Sequence, residues 1–224
     1  NLLMILSERM RQDNELIVRN FKQRLQYEHI EKELQTARSI QSSVLPRGHP
    51  LFPGRDDFDV CALMDPAREI GGDFYDAFLI DDRKLFFTIG DVSGKGIAAA
   101  LFMMKTVTLL RMEALRDISP QEILMRVNNQ LCRNNDYGMF VTVFCGILDI
   151  KHGVLAYCNG GHDAPLIGRA GAGFDFAECA GGTMLGVVED APSQPGSIAL
   201  RRGDVVLCYT DGVTEAMNPR QEMF

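Results

Sequence analysis

The 224-residue sequence has no tryptophan, only four histidines, and no C-x-x-C pair among its six cysteines. Histidines scattered at 29, 49, 152 and 162 cannot build a histidine-rich zinc site. The cysteines at 61, 132, 145, 158, 179 and 208 stand mostly inside apolar runs such as 141–150. That placement reads as reduced, buried thiols and a cytoplasmic compartment. No apolar run approaches the roughly 20 residues needed to cross a bilayer, and Leu2 to Leu6 is quickly followed by charges. The chain therefore reads as soluble, which leaves open a membrane segment ahead of Asn1. An excess of positive charge is lacking too: the net charge is -7 and the pI near 5.1, which excludes a protein built around nucleic-acid backbone contacts.

Glycine and proline are absent from the first 45 residues, where charged and apolar residues interleave. This pattern predicts one long helix. Tyr27, Ile30, Leu34, Ala37, Gln41 and Val44 recur at spacings of three and four, and Leu3, Leu6, Met10 and Ile17 follow an earlier register. The two registers meet near Phe21, a stutter-like shift. So narrow a seam on so long a helix predicts a parallel coiled-coil homodimer, the other reading being a surface helix on its own domain. Residues 1–50 hold eight Lys/Arg against six Asp/Glu, so the remaining 15 against 24 place the acidity in the globular part.

From Phe58 the hydrophobic period becomes two. Strands are predicted at 58–64, 74–80, 84–90, 140–150, 153–159, 197–201 and 204–210. Asp81-Asp82 and His152-Gly153 read as hairpin turns. One helix is predicted from Gly94 to about Arg116, and a second from Ser119-Pro120-Gln121-Glu122, where serine caps, proline takes the first helical position and glutamate the capping-box site. Antiparallel strands with a contiguous helical pair predict one main domain of the α+β class.

Three segments share one grammar, an apolar strand followed by aspartate beside glycine: Glu69-Ile70-Gly71-Gly72-Asp73-Phe74-Tyr75-Asp76, Thr88-Ile89-Gly90-Asp91-Val92-Ser93-Gly94-Lys95-Gly96 and Cys208-Tyr209-Thr210-Asp211-Gly212. An isolated Asp-Gly is usually a turn, and Asp81 and Asp82 are read that way. Repeated three times beside glycine, aspartate at a strand end fits hard cations, which take carboxylate, carbonyl and water oxygens. Other phosphate chemistries fit less well. Gly90 to Gly96 lacks the four-residue spacing and the hydroxyl after lysine of a P-loop, and Cys61 with Arg68 has no glycine-rich cradle for a thiolate nucleophile. His162, in the turn Asn159 to Pro165, reads as structural.

At these residues the chain resembles the PPM superfamily of protein phosphatase 2C-like enzymes, in its bacterial branch typified by sporulation stage II protein E and the sigma-B regulatory phosphatases. The resemblance runs from about Glu33 to Phe224. It rests on Gly71 to Asp76, Gly90 to Gly96, Gly161-His162, Leu185-Gly186, Thr210 to Glu215, and the entry segment Ala37 to Gln41 with Leu45-Pro46. It implies a four-layer α-β-β-α sandwich of two antiparallel sheets flanked by helices, preceded by the coiled-coil-like helix. On that reading residues 1–45 are a dimerising, signal-transmitting linker from an upstream sensor or receiver domain, and 46–224 the phosphatase domain. It also implies two Mn2+ or Mg2+ ions. Asp91 would bridge them, Asp73 and the Val92 carbonyl would serve one, and Asp211 the other, while Asp76 supports the site through hydrogen bonds. Metal-activated water would then hydrolyse phosphoserine or phosphothreonine on an anti-sigma-factor antagonist. The family's final aspartate is not found before Phe224, so the chain as it stands is expected to be weakly active or inactive. The alternative is a catalytically silent binding module acting in partner switching.

Overall fold

The computed structural model describes residues 2–65, 70–179, 181–218, 220 and 222–223. Arg68 and Glu69 lie outside the described residues, as does the side chain of Leu3. Two compact units form, 1–42 and 43–224.

The first unit is helical throughout, part of α1 (Leu2–Val44), whose 43 residues span roughly 64 Å at 1.5 Å each. Met10, Ile17, Phe21, Tyr27 and Ile30 are all more than half exposed along it. A lone helix gains little from propensity in water, so a stable one of this kind needs something against its apolar residues. No helix among the described residues is long and apolar enough to cross a membrane.

In the second unit, β1 (Phe74–Asp81), β2 (Lys84–Val92), α2 (Ile97–Ala114), α3 (Pro120–Cys132), β3 (Val141–Asp149), β4 (Val154–Gly160), β5 (Leu166–Gly168), β6 (Phe174–Phe176), β7 (Pro195–Ala199), β8 (Val205–Leu207) and the short α4 (Asp211–Thr214) follow in order. They make two antiparallel sheets, β1-β2-β3-β4-β7 and β6-β5-β8. The α+β class with two antiparallel sheets and a long N-terminal helix is the architecture expected.

Helix α2 starts at Ile97, two residues later than a helix that follows Gly94, because Gly96 sits at φ 80, outside helical space. Its Ala99, Met103, Val107, Leu110 and Ala114, spaced by three and four, are buried against the large sheet with Ile123, Leu124, Val127 and Leu131 of α3. Half of the predicted capping box forms: Ser119 Oγ accepts from the Glu122 N–H, but the Glu122 carboxylate takes Arg126 at 2.7 Å instead of reaching back. Asp81 Oδ1 accepts from the Arg83 and Lys84 N–H groups, so the Asp81-Asp82 turn is built by its own aspartate.

Residues 58–64 are not a strand: Leu51 donates its N–H to the Val60 carbonyl and Phe58 packs on Phe52, but among the described residues no strand pairs with them. The late strands also shift: β7 begins at Pro195, tolerable because β7 is an edge, and β8 stops at Leu207. Strands β5 and β6 have three residues each, too few to show a period. All six cysteines are free, with Cys145 and Cys158 buried and Cys61 exposed, against the uniform burial expected.

Asp204, in the β7–β8 turn, ties the small sheet together by accepting from Arg169 Nη1, the Ala170 N–H and the Arg201 N–H. Those donors hold its carboxyl down at about 2. A carboxylate depressed in the folded state stabilises the fold above the ordinary carboxylate pKa, and that contribution disappears as the pH falls through the folded value. Asp204→Ala is therefore expected to lower the urea midpoint by a constant amount above about pH 5 and by progressively less toward pH 2. A gap that does not narrow on acidification contradicts this assignment.

Candidate functional site

The β1–β2 ladder pairs Phe74 with Gly90, so Asp73, one residue before β1, and Asp91, next to last in β2, face each other across the hairpin. Two glycines allow the approach. A Cβ on Gly72 would stand 2.7 Å from the Val92 carbonyl oxygen and 3.3 Å from Asp91 Oδ1, and one on Gly90 would meet the Phe74 ring and the Thr142 carbonyl. The Val92 carbonyl and the Asp91 carboxyl therefore both border Gly72.

The Asp91 carboxyl is pushed up to about 7, first by desolvation, then by its hydrogen bond to Asp73 and the charges of Asp73 and Asp211; only the Val92 N–H acts in the other direction. Asp211, at the start of α4, is thus electrostatically part of the same site. Thr210 fixes its approach. Instead of capping α4, the Thr210 hydroxyl donates to Asp73 Oδ2 at 2.7 Å, joining residues far apart in sequence.

Around this cluster, His162 is buried and both ring nitrogens are engaged, Nδ1 with Thr142 Oγ1 at 2.8 Å and Nε2 with the Tyr209 carbonyl at 3.0 Å. Burial lowers its pKa below the ordinary imidazole value. Asn159 holds the turn, accepting from the His162 N–H and donating to its carbonyl, each at 2.8 Å. Asp76 is not at the site. It is buried and its two oxygens take Arg111 of α2 at 2.8 and 2.6 Å, while the Arg111 guanidinium also lies 5.2 Å from the centroid of the Phe78 ring. Its support is given to α2, not to the other carboxyls. Leu185-Gly186 is likewise architectural: Leu185 exchanges two backbone bonds with Val141, and Gly186 accepts from Asn135 and donates to Asn128.

Asp73 touches Asp91 and the charge of Asp211 bears on it, and among the described residues none of the three makes an ion pair. Such a cluster fits a divalent cation, which would replace repulsion by coordination. The side chains are not drawn into a ready cage: among the described residues no three His, Cys, Asp or Glu side chains are grouped closely enough to hold an ion. Thr142, Thr210 and Asn159 were missed by sequence reasoning. Thr210 and Asn159 stand in segments the sequence singles out, without a role of their own, and Thr142 is marked by its place opposite Asp91 in the ladder.

The family model described as Stage II sporulation protein E (SpoIIE) matches residues 81–224. Protein IcfG of Synechocystis sp. is 32% identical over 219 residues, covering 86% of this chain and 34% of that protein. The phosphoserine phosphatase RsbU of Bacillus subtilis is 28% identical over 190 residues, 84% of this chain and 55% of its own length. The chain thus spans between about a third and just over half of these relatives. Among solved structures, the RsbU and RsbW domains of a Mycobacterium tuberculosis protein align at TM-score 0.60 and 33% identity, over 70% of this chain and 43% of that one. The SiaA-PP2C domain of Pseudomonas aeruginosa aligns at TM-score 0.73 and 19% identity, over 88% and 78%, a likeness of fold.

Crowded carboxyls cost stability when no cation balances them. In chelator at pH 8, Asp91→Asn is expected to stabilise the protein by about 1–2 kcal/mol, allowing for solvent screening of a half-covered site. A carboxyl raised in the folded state destabilises only once it ionises, so the advantage should shrink as the pH falls from about 7 toward 4. Thermal melts of the two proteins at pH 8 and pH 5 check this; equal melting temperatures at pH 8 would contradict the crowding.

Proposed function

The chain belongs to the stage II sporulation protein E (SpoIIE) family of PP2C-like phosphatases, and from that premise we propose that it is a metal-dependent protein phosphatase acting on phosphoserine or phosphothreonine of an anti-sigma-factor antagonist. The observation that carries this reading is that Asp73 bonds Asp91, Asp211 adds its charge to theirs, and Thr210 ties the Asp211 segment to Asp73. Asp91 would bridge two Mn2+ or Mg2+ ions, with Asp73 and the Val92 carbonyl serving one and Asp211 the other. Such ions lower the pKa of water and balance charge on a transferred phosphoryl group.

The chain's own residues point to water as the nucleophile. Cys208, three residues before Asp211, is pushed up to about 12 by burial and carries no thiolate at neutral pH. His162, its pKa lowered by burial, has both ring nitrogens engaged, by Thr142 and by the Tyr209 carbonyl, and offers neither to a substrate. What remains to the protein is placement: β2 holds Asp91 and Val92 between two neighbouring strands, and Thr210 orients Asp73. A second reading, a phosphatase-like module that binds its partner without hydrolysis, is favoured by the lack of a closed ligand cage among the described residues.

Release of phosphate from a phosphoserine protein in Mn2+ tests the choice. Asp91→Ala is expected to reduce the rate by more than about 100-fold, beyond what loss of a mere supporting group costs. Activity in the wild type that survives chelation, or in Asp91→Ala at the wild-type level, would sink the hydrolase reading.

We assign residues 1–45 to a dimerising linker whose rotation shifts the Asp73 and Asp91 loops between metal-poor and metal-competent arrangements, acting as the output of an upstream sensor or receiver domain. The exposed seam through Ile30 supports this, since coiled-coil pairing would cover it. The double variant Ile30→Glu/Leu34→Glu is expected to turn a dimer into a monomer in sedimentation and to change phosphatase activity with it. Unchanged mass and rate together would remove the proposal.

A further inference from the structure

The contacts around the aspartates close into a circuit. Asp91 pairs with Thr142 across the β2–β3 ladder. Thr142 Oγ1 lies 2.8 Å from His162 Nδ1, and His162 Nε2 lies 3.0 Å from the Tyr209 carbonyl oxygen. Thr210, the next residue, donates to Asp73, and Asp73 meets Asp91. Three loops widely separated in sequence are thus tied in a ring that begins and ends at Asp91.

The chemistry of the partners dictates the protonation within it. A backbone carbonyl has no proton to give, so Nε2 carries the imidazole hydrogen and Nδ1 is left as an acceptor. Thr142 must then donate to Nδ1, which leaves its long 3.5 Å approach to the Asp91 carbonyl without a proton. The ring cannot turn over without losing both bonds, and Asn159 fixes the backbone on which it is mounted. Since Tyr209 precedes Thr210-Asp211, the imidazole sets where the chain enters α4 relative to the β2–β3 ladder.

We infer that Thr142 and His162 are positioning residues for the divalent-cation site, holding the Asp211 segment at a fixed place relative to Asp91 through one imidazole tautomer. The inference rests on the metal reading given above. A residue that orients ligands without touching the ion typically changes affinity by about 10–100-fold when lost.

Calorimetric titration of Mn2+ into the full chain and its variants tests this. Thr142→Val removes the donor at nearly constant shape, and His162→Phe removes both nitrogens; each is expected to weaken Mn2+ binding by about 10–100-fold. Thr142→Ser keeps the hydroxyl, and His162→Gln keeps a neighbouring acceptor and donor, so both should bind within about threefold of wild type. Because the two residues act through one path, Thr142→Val/His162→Phe should bind little worse than the weaker single variant. If His162→Phe fails to fold, the Thr142 pair decides alone. Lower melting temperatures with unchanged Mn2+ affinity in folded Thr142→Val would overturn the positioning role and leave a purely structural one. Wild-type protein that takes up no Mn2+ would overturn the metal reading itself, and this inference with it.

Discussion

Asp73 and Asp91 are carboxyl groups that repel when ionised, yet the β1–β2 ladder sets them opposite each other and Asp211 adds its charge to theirs. Most of the local structure can be read as the means of enforcing that crowding. Left to itself, the pair would relax by moving apart or by keeping a proton, and the upward displacement of Asp91 to about 7 is the second response. Moving apart is resisted by the backbone. Gly72 lies so close to the Val92 carbonyl that a single methyl group would not fit, and Gly90 leaves the space that the Phe74 ring fills.

The strands bearing these residues are themselves anchored from the other face. Phe74, Phe86, Val92, Val141 and Val143 belong to the core that α2 and α3 complete. Asp76 and Arg111 add a bidentate ion pair between β1 and α2, with the carboxylate buried and the guanidinium half-exposed. That pair contributes geometry more than net stability, since withdrawing a carboxylate from water offsets much of its attraction to arginine. A strained polar site thus sits at the end of a well-packed apolar layer, where displacement of one aspartate would require the hairpin or α2 to move.

The legibility of this arrangement varied with distance along the chain. The Asp81-Asp82 turn was readable from its residues, and a hairpin centred there brings 73 opposite 91 by counting, so the meeting of two of the aspartates was implicit in the strand pattern. Helices α2 and α3 were readable because their apolar spacing and, for α3, its serine cap are local. Residues 58–64 misled because composition favours a strand where, among the described residues, none pairs with it. The approach of Asp211 had no local signal at all. It depends on Thr210 bonding to Asp73 and on His162 bonding to Tyr209, contacts between segments that periodicity does not relate. Asp76 shares the aspartate-rich segment of Asp73 but points into the helical layer, because alternate residues of a strand face opposite sides.

The same geometry explains why cysteine and histidine contribute so little reactivity to a chain that contains both near its acidic site. Cys145 and Cys158 face each other across β3 and β4, and burial raises both thiols, as it does Cys208. A protonated thiol in an apolar layer packs well and attacks poorly. His162 has both ring nitrogens engaged, by Thr142 and by the Tyr209 carbonyl, and burial holds its pKa below the ordinary imidazole value. With thiols protonated and the imidazole engaged on both sides, the exposed chemistry of the site is carboxylate and carbonyl oxygen. Those are donor groups for a hard cation.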